Sequence, residues 1–203
     1  MNLFGTLRFA LACASAAAIV SVASAGPVGP ELVTNGGFEN TSSLAGSGWT
    51  VSGFTGEGFD YMIDTDPANA HSGNHSFAGG AVGGLGFISQ TIATTAGKHY
   101  IIDLWLANVS GFADGTGIQV LWGGVPVYTA TDILGFNYRE IVLDLIATGT
   151  SISIGLRDDS FFLNVDDISV RAAAAVPEPT TLALLLLGGI GVAGLARRRA
   201  STA

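Results

Sequence analysis

The segment "TSISIGLR", Thr150–Arg157, commits this chain to β structure. Ile152, Ile154 and Leu156 alternate with Ser151, Ser153 and Gly155. A period of two sends the three aliphatics to one face of an extended chain and the small residues to the other. A helix would scatter the same residues around its circumference and leave no coherent buried stripe. The segment before it, "YREIVLDLIAT" (Tyr138–Thr148), repeats the pattern with Ile141, Leu143 and Leu145 against Val142, Asp144 and Ile146.

Working outward, "HYIIDLWLANV" (His99–Val109), "GIQVLW" (Gly117–Trp122) and "FFLNVDDISV" (Phe161–Val170) also read as strands. Further candidates lie at Trp49–Phe54, Phe59–Ile63, Ser76–Ala81 and Phe87–Ile92. No 3.6-residue stripe interrupts them between Glu31 and Arg171. In "LWGGVPV" the pair Gly123-Gly124 is a two-residue hairpin signal, and Pro126 marks the following strand as an edge or irregular one. Nine or ten strands separated by turns predict an all-β fold, an antiparallel β-sandwich of the jelly-roll kind. One strand carries a defect. Leu163 and Val165 share a parity, whereas Ile168 and Val170 share the opposite one. A β-bulge at Asp166-Asp167 would bury all four and re-aim a carboxylate.

The two ends differ from this middle. "MNLFGTLRFALACASAAAIVSVASAG" has Arg8, an apolar run from Phe9 to Val22, and small residues at Ala23 and Ala25. That is the form of a secretory signal peptide over residues 1–25, cut before Gly26. Residues 26–172 form the expected sandwich domain, and 173–203 a tail: "VPEP", an apolar run, then Arg197, Arg198 and Arg199. A hydrophobic helix over about 182–196 would be roughly 22 Å long, short of the ~30 Å hydrocarbon core. It suits a transient anchor in the inner membrane, its arginines held in the cytoplasm by the positive-inside rule. Pro177 and Pro179 keep the stretch around Glu178 extended, the form a protease grips.

The only cysteine, Cys13, falls in the leader, so the domain has no disulfide, thiolate nucleophile or cysteine-held metal. Between Gly26 and Ala172 there are four basic residues and fifteen acids, a balance of −11. Such a surface repels nucleic acid and attracts divalent cations. No GxSxG elbow, P-loop or strand-to-helix GxGxxG is present. "HSGNH" (His71–His75) has zinc-like spacing, but Gly73 and Asn74 make it a solvated loop. "DTDP" (Asp64–Pro67) reads as a turn. Trp49 and Trp105 are read as core residues; Trp122, beside the hairpin, is the candidate for stacking on a sugar ring.

With its Pro-Glu-Pro, apolar segment and arginine stop in this order, the tail resembles the PEP-CTERM sorting signal of Gram-negative bacterial surface proteins. That resemblance implies processing by exosortase, a membrane-embedded transpeptidase. The middle is similar to galactose-binding-like, carbohydrate-binding jelly-roll modules, on "LVTNGGFEN", "ISQTIATTAGKHYIIDLWLANV", "VLWGG" and "FFLNVDDISV". Similar modules often hold a structural calcium where the first strand meets the last. Glu39, Asp166 and Asp167 are the matching carboxylates here. The expectation is a non-catalytic exported protein, sorted to the cell surface or an exopolysaccharide matrix. The alternatives are a module that binds extracellular polysaccharide and, behind it, a small jelly-roll hydrolase.

Overall fold

Alternating side chains need a partner sheet to cover their apolar face, and the chain supplies two. The computed structural model describes residues 26–41, 43–53, 59–148 and 150–174. The expected signal peptide, the Pro177–Pro179 motif, the hydrophobic helix and Arg197–Arg199 lie outside these residues. Ten strands follow in order: β1 (Thr50–Gly53), β2 (Phe59–Asp64), β3 (Ser76–Ala81), β4 (Gly86–Thr91), β5 (His99–Asn108), β6 (Gly117–Trp122), β7 (Val125–Thr131), β8 (Phe136–Ile146), β9 (Ser151–Arg157) and β10 (Leu163–Ala172). Two short 3₁₀ turns, Ala45–Ser47 and Pro67–Asn69, are the helical pieces among the described residues.

The strands form two five-stranded antiparallel sheets, ordered β1-β4-β9-β6-β7 and β2-β3-β10-β5-β8. This is the expected β-sandwich, a jelly roll. Ile152, Ile154 and Leu156 of β9 are fully buried between the sheets, as their alternation requires. Across the gap they meet a layer from the second sheet: Phe77 of β3, Leu163 and Val165 of β10, and Ile102 and Leu104 of β5. Edge strand β8 keeps Ile141, Leu143 and Leu145 partly buried and turns Val142, Asp144 and Ile146 to solvent. The Gly123-Gly124 turn joins β6 to β7 with φ of 58° and 83°, the left-handed region its two-residue geometry demands.

The parity slip in β10 is a bulge. Its pairing with β5 shifts register between Asp166 and Ser169, and Asp167 takes φ 48°. Val165 stays inward before it, and Ile168 and Val170 are inward after it. β3 pairs only with Leu163–Val165 of β10. A strap from the N-terminal side takes part of the remaining edge: Val28 N–H donates to Ala172 O at 3.0 Å, Leu32 N–H to Val170 O at 3.0 Å, and Ile168 N–H to Gly36 O at 3.0 Å. The strap ends in Phe38, which is fully buried against Phe77 and Trp49. Trp49 is a core residue, as its sequence context suggested, and its indole N–H donates to Asn35 O at 3.1 Å.

Ile154→Ala, which empties the centre of the core, should cost about 2–5 kcal/mol in urea unfolding of residues 26–174. Ser153→Ala, one residue away on the outer face, should stay within about 0.5 kcal/mol. Equal losses at the two positions would contradict the inward assignment of Ile154.

Candidate functional site

Chemistry-bearing side chains collect on the outer face of the second sheet. β5 sends Ile102, Leu104 and Leu106 into the core, which leaves Asp103 and Trp105 facing outward. Cross-strand pairing sets Asp166 and Glu140 on either side of Trp105, and Ser169 and Val142 on either side of Asp103. Trp105 is therefore a half-buried surface residue and not the core residue its apolar neighbours suggested. Leu104 and Leu106 hold the inward positions, and the strict alternation of a strand leaves it none.

The loop from Asp64 to His75 crosses this face. Asp64 Oδ1 accepts from the Asp66 N–H at 3.0 Å, and Asp66 caps the Pro67–Asn69 turn through the Ala68 N–H, also at 3.0 Å. The turn reading of "DTDP" holds. Tyr138 donates its hydroxyl to Asn69 O at 2.6 Å. The His71 ring lies flat on Trp105, with centroids 3.7 Å apart and planes 13° apart, and meets Tyr138 edge-on at 5.3 Å. One indole face is thus occupied by an imidazole of the same chain.

Three carboxylates fasten the His71–His75 stretch from both ends. Asp166 Oδ2 accepts from the His71 and Ser72 amides at 2.8 and 3.2 Å. Asp167 places Oδ2 2.7 Å from His71 Nδ1 and accepts from the Ser72 hydroxyl at 2.8 Å through Oδ1. Glu39 Oε1 accepts from the Asn74 and His75 amides at 2.8 and 3.1 Å, and its Oε2 lies 2.9 Å from His75 Nδ1. Gly73 turns the loop between them with φ +62°, and a Cβ there would collide with the Glu39 carboxylate. The loop read from sequence as solvated is therefore clamped, and both of its histidines are engaged. "HSGNH" gave no sign of this, because the clamp comes from residues 35 and about 95 positions away.

The electrostatics divide by burial. Asp166 is fully buried, and desolvation pushes its carboxyl up to about 6 against the pull of backbone N–H donors. Asp103 is likewise raised to about 6, first by burial and then by Glu140 beside it. Its Oδ1 is buried with no hydrogen-bond partner among the described residues. The exposed Glu39 shifts the other way, held below the usual range by the His75 ring and the Asn74 amide.

Calcium requires six to eight oxygens converging on one point. Here all six carboxylate oxygens of Glu39, Asp166 and Asp167 face an amide, a hydroxyl or an imidazole; Asp166 Oδ1 takes the Asp167 N–H at 2.7 Å. Among the described residues no group of three or more His, Cys, Asp or Glu side chains is gathered for a metal ion. The trio does not fit the expected calcium; it fits a clamp. Trp122 needs a second correction. It is 2 % exposed, packs near Tyr100, and donates its indole N–H to Ile146 O at 3.1 Å, so it presents no face to a sugar.

Of the residues expected to direct export and sorting, Ala23, Ala25, Pro177, Glu178, Pro179, Arg197, Arg198 and Arg199 lie outside the described residues. Gly26 is described. Its carbonyl accepts from the Ala174 N–H at 2.9 Å, beside the bridge between Pro27 and Ala173. Both ends of the domain therefore leave from one place.

Residues 175–200 match the family model described as the PEP-CTERM protein-sorting motif. No curated protein matches the chain. Among solved structures, TmCBM61 in complex with β-1,4-galactotriose is 20% identical, with a TM-score of 0.53, over 70% of this chain and 99% of that one. The CBM22-1 xylan-binding domain from Paenibacillus barcinonensis Xyn10C is 17% identical, with a TM-score of 0.50, over 75% and 100%. The enzymatically active domain of bacteriophage CBA120 tailspike protein 4 is 20% identical with a TM-score of 0.50; 70% of this chain aligns to only 21% of it. At these identities the likeness is one of fold.

Two outcomes follow from the site. Glu39→Ala should speed amide exchange at Asn74 and His75 and lower the melting temperature equally in calcium and in chelator; a calcium-dependent difference would restore the ion. A carboxyl raised in the folded state binds more protons folded than unfolded between about pH 4 and 6, so its ionisation lowers stability as pH rises through that window. Asp103→Asn should therefore gain melting temperature relative to the parent as pH rises from about 4 to 6, and hold that gain above it. A difference independent of pH would contradict this.

Proposed function

We propose that this chain is a non-catalytic exported protein whose β-sandwich is presented outside the inner membrane by its tail. The tail is then processed by an exosortase-type transpeptidase, which delivers the domain to the cell surface or to an exopolysaccharide matrix. One observation carries the reading: the sorting motif occupies 175–200, and Ala174 just before it is still bonded into the folded body. Only Ala175 and Val176 separate that body from Pro177. The recognition tripeptide thus sits where a folded domain ends and an apolar segment begins. In this reading residues 1–25 are a signal peptide, 26–172 the delivered domain, and 173–203 the sorting tail with a single span at about 182–196.

A polysaccharide-binding module is the second reading. The outer face of β5 and β8 favours it, since Trp105 stands there between Asp103, Glu140 and Tyr138, and carboxylates beside an aromatic ring are suited to hydroxyl-rich ligands. Glycan-array screening of residues 26–174 separates the two. Retention that Trp105→Ala abolishes supports binding, and no retention leaves delivery alone.

For the leading reading, mass spectrometry of the surface-extracted protein should find a chain that starts at Gly26 and lacks everything beyond the Pro177–Pro179 region. Replacing Arg197–Arg199 with glutamines should lower that processing, because the positive stop is lost. An intact C-terminus on surface-extracted protein would overturn the proposal.

A further inference from the structure

The poles of the sandwich differ in charge. The tail leaves from a pole built by the strap start, the strand end at Ala172–Ala174, the 92–98 turn, the Gly123-Gly124 hairpin and the end of β8. Hydrogen bonds knit these together: Ala174 N–H to Gly26 O, Ala173 N–H to His99 O, Ala147 N–H to Lys98 O, and Gly123 N–H to Ser151 O, all at 2.8–2.9 Å. Residues 26–30, 92–98, 122–125, 145–148 and 172–176 contain no Asp or Glu, although the domain holds fifteen. They contain one cation, the exposed Lys98. Glu31 and Asp144, which adjoin these segments in sequence, are paired with Arg171 at 3.1 Å and with His99 at 3.0 Å, and Glu178 follows in the tail. Three aliphatics stand out from this pole: Val28 is 70% exposed, Val125 59% and Ile146 50%. The opposite pole carries Asp114, Asp132, Asp158 and Asp159 in its loops, with Arg157 bound to Asp159 at 2.6 Å.

We propose that the acid-free pole is a membrane-seating surface, which rests on the anionic headgroups of the bilayer while the tail is inserted. This rests on the delivery reading above. A domain with a balance of −11 is repelled by anionic lipid from every side that shows carboxylates. The pole from which residues 175–203 depart is the side freed of them. The seven residues 175–181 before the expected span reach at most about 25 Å when extended, so the pole is kept near the headgroups. Val28, Val125 and Ile146 can then enter the interface, and Lys98 can meet a lipid phosphate. Seating also holds Pro177–Pro179 at the depth of the headgroups, where a membrane-embedded enzyme would take it.

The test uses the full chain with Cys13→Ser, reconstituted through its tail into phosphatidylethanolamine–phosphatidylglycerol vesicles that carry a nitroxide-labelled lipid. A fluorophore is placed singly at Val125→Cys, at Leu134→Cys on the opposite pole, or at Leu186→Cys within the tail. Strong quenching at 186 and 125 and none at 134 is expected. Adding Val28→Asp and Lys98→Glu to the 125 probe should remove its quenching while the melting temperature holds. Equal quenching at 125 and 134, or quenching at 125 that survives the two acids, overturns the seating and leaves tail insertion standing. No quenching at 186 overturns insertion and the seating with it.

Discussion

A single extra residue in β10 settles where the chemistry of this domain lies. Without the bulge between Asp166 and Ser169, either Leu163 and Val165 or Ile168 and Val170 would face water. With it, all four are buried, and the price is a strained, positive φ at Asp167 together with two carboxylates thrown to the outer face. Those carboxylates then fasten the loop that crosses the sheet, and the strap docks on the strand edge that β3 leaves open. Core, loop and strap share one local solution to a parity conflict.

The core itself needs no covalent help. With Cys13 in the expected leader, the sandwich relies on the aliphatic layer of β9, β5 and β10 and on the aromatic group of Phe38, Trp49 and Phe77. Most of the acids stay on the outside, where water screens them. Asp158 and Asp166 are buried and Asp103 is half-buried; burial raises the carboxyl pKa of Asp166 and of Asp103. That tension sits beneath the His71–Trp105 stack, on the face of the sheet with the strongest departure from a plain solvated surface.

Strand identity, the hairpin glycines and the bulge were legible in the sequence because each is a local pattern: alternation, a two-glycine turn, a broken parity. The role of Trp105 was not, since being flanked by leucines says nothing about which parity points inward until neighbouring strands fix it. Trp122 misled for the complementary reason. Proximity to a turn suggested exposure, yet the last residue of β6 still faces inward and finds Ile146 O for its indole N–H. Glu39, Asp166 and Asp167 were expected around an ion, and they hold a loop instead. Their partners were unforeseeable, because amide donors leave no mark in a sequence and "HSGNH" carries no hint of the acids that hold it.

The bridge between Pro27 and Ala173 has a mechanical consequence. Traction between the two ends of the domain would open that bridge and then the strap bonds one after another, as a zipper opens, at low force. Traction between the tail and the far pole acts differently. It runs along β10, and the ladder from Asn164↔Ala107 to Ala172↔Tyr100 is sheared with its rungs loaded together. A domain held by its tail and dragged from its acidic end is pulled along its strong axis, whereas one held by both ends peels.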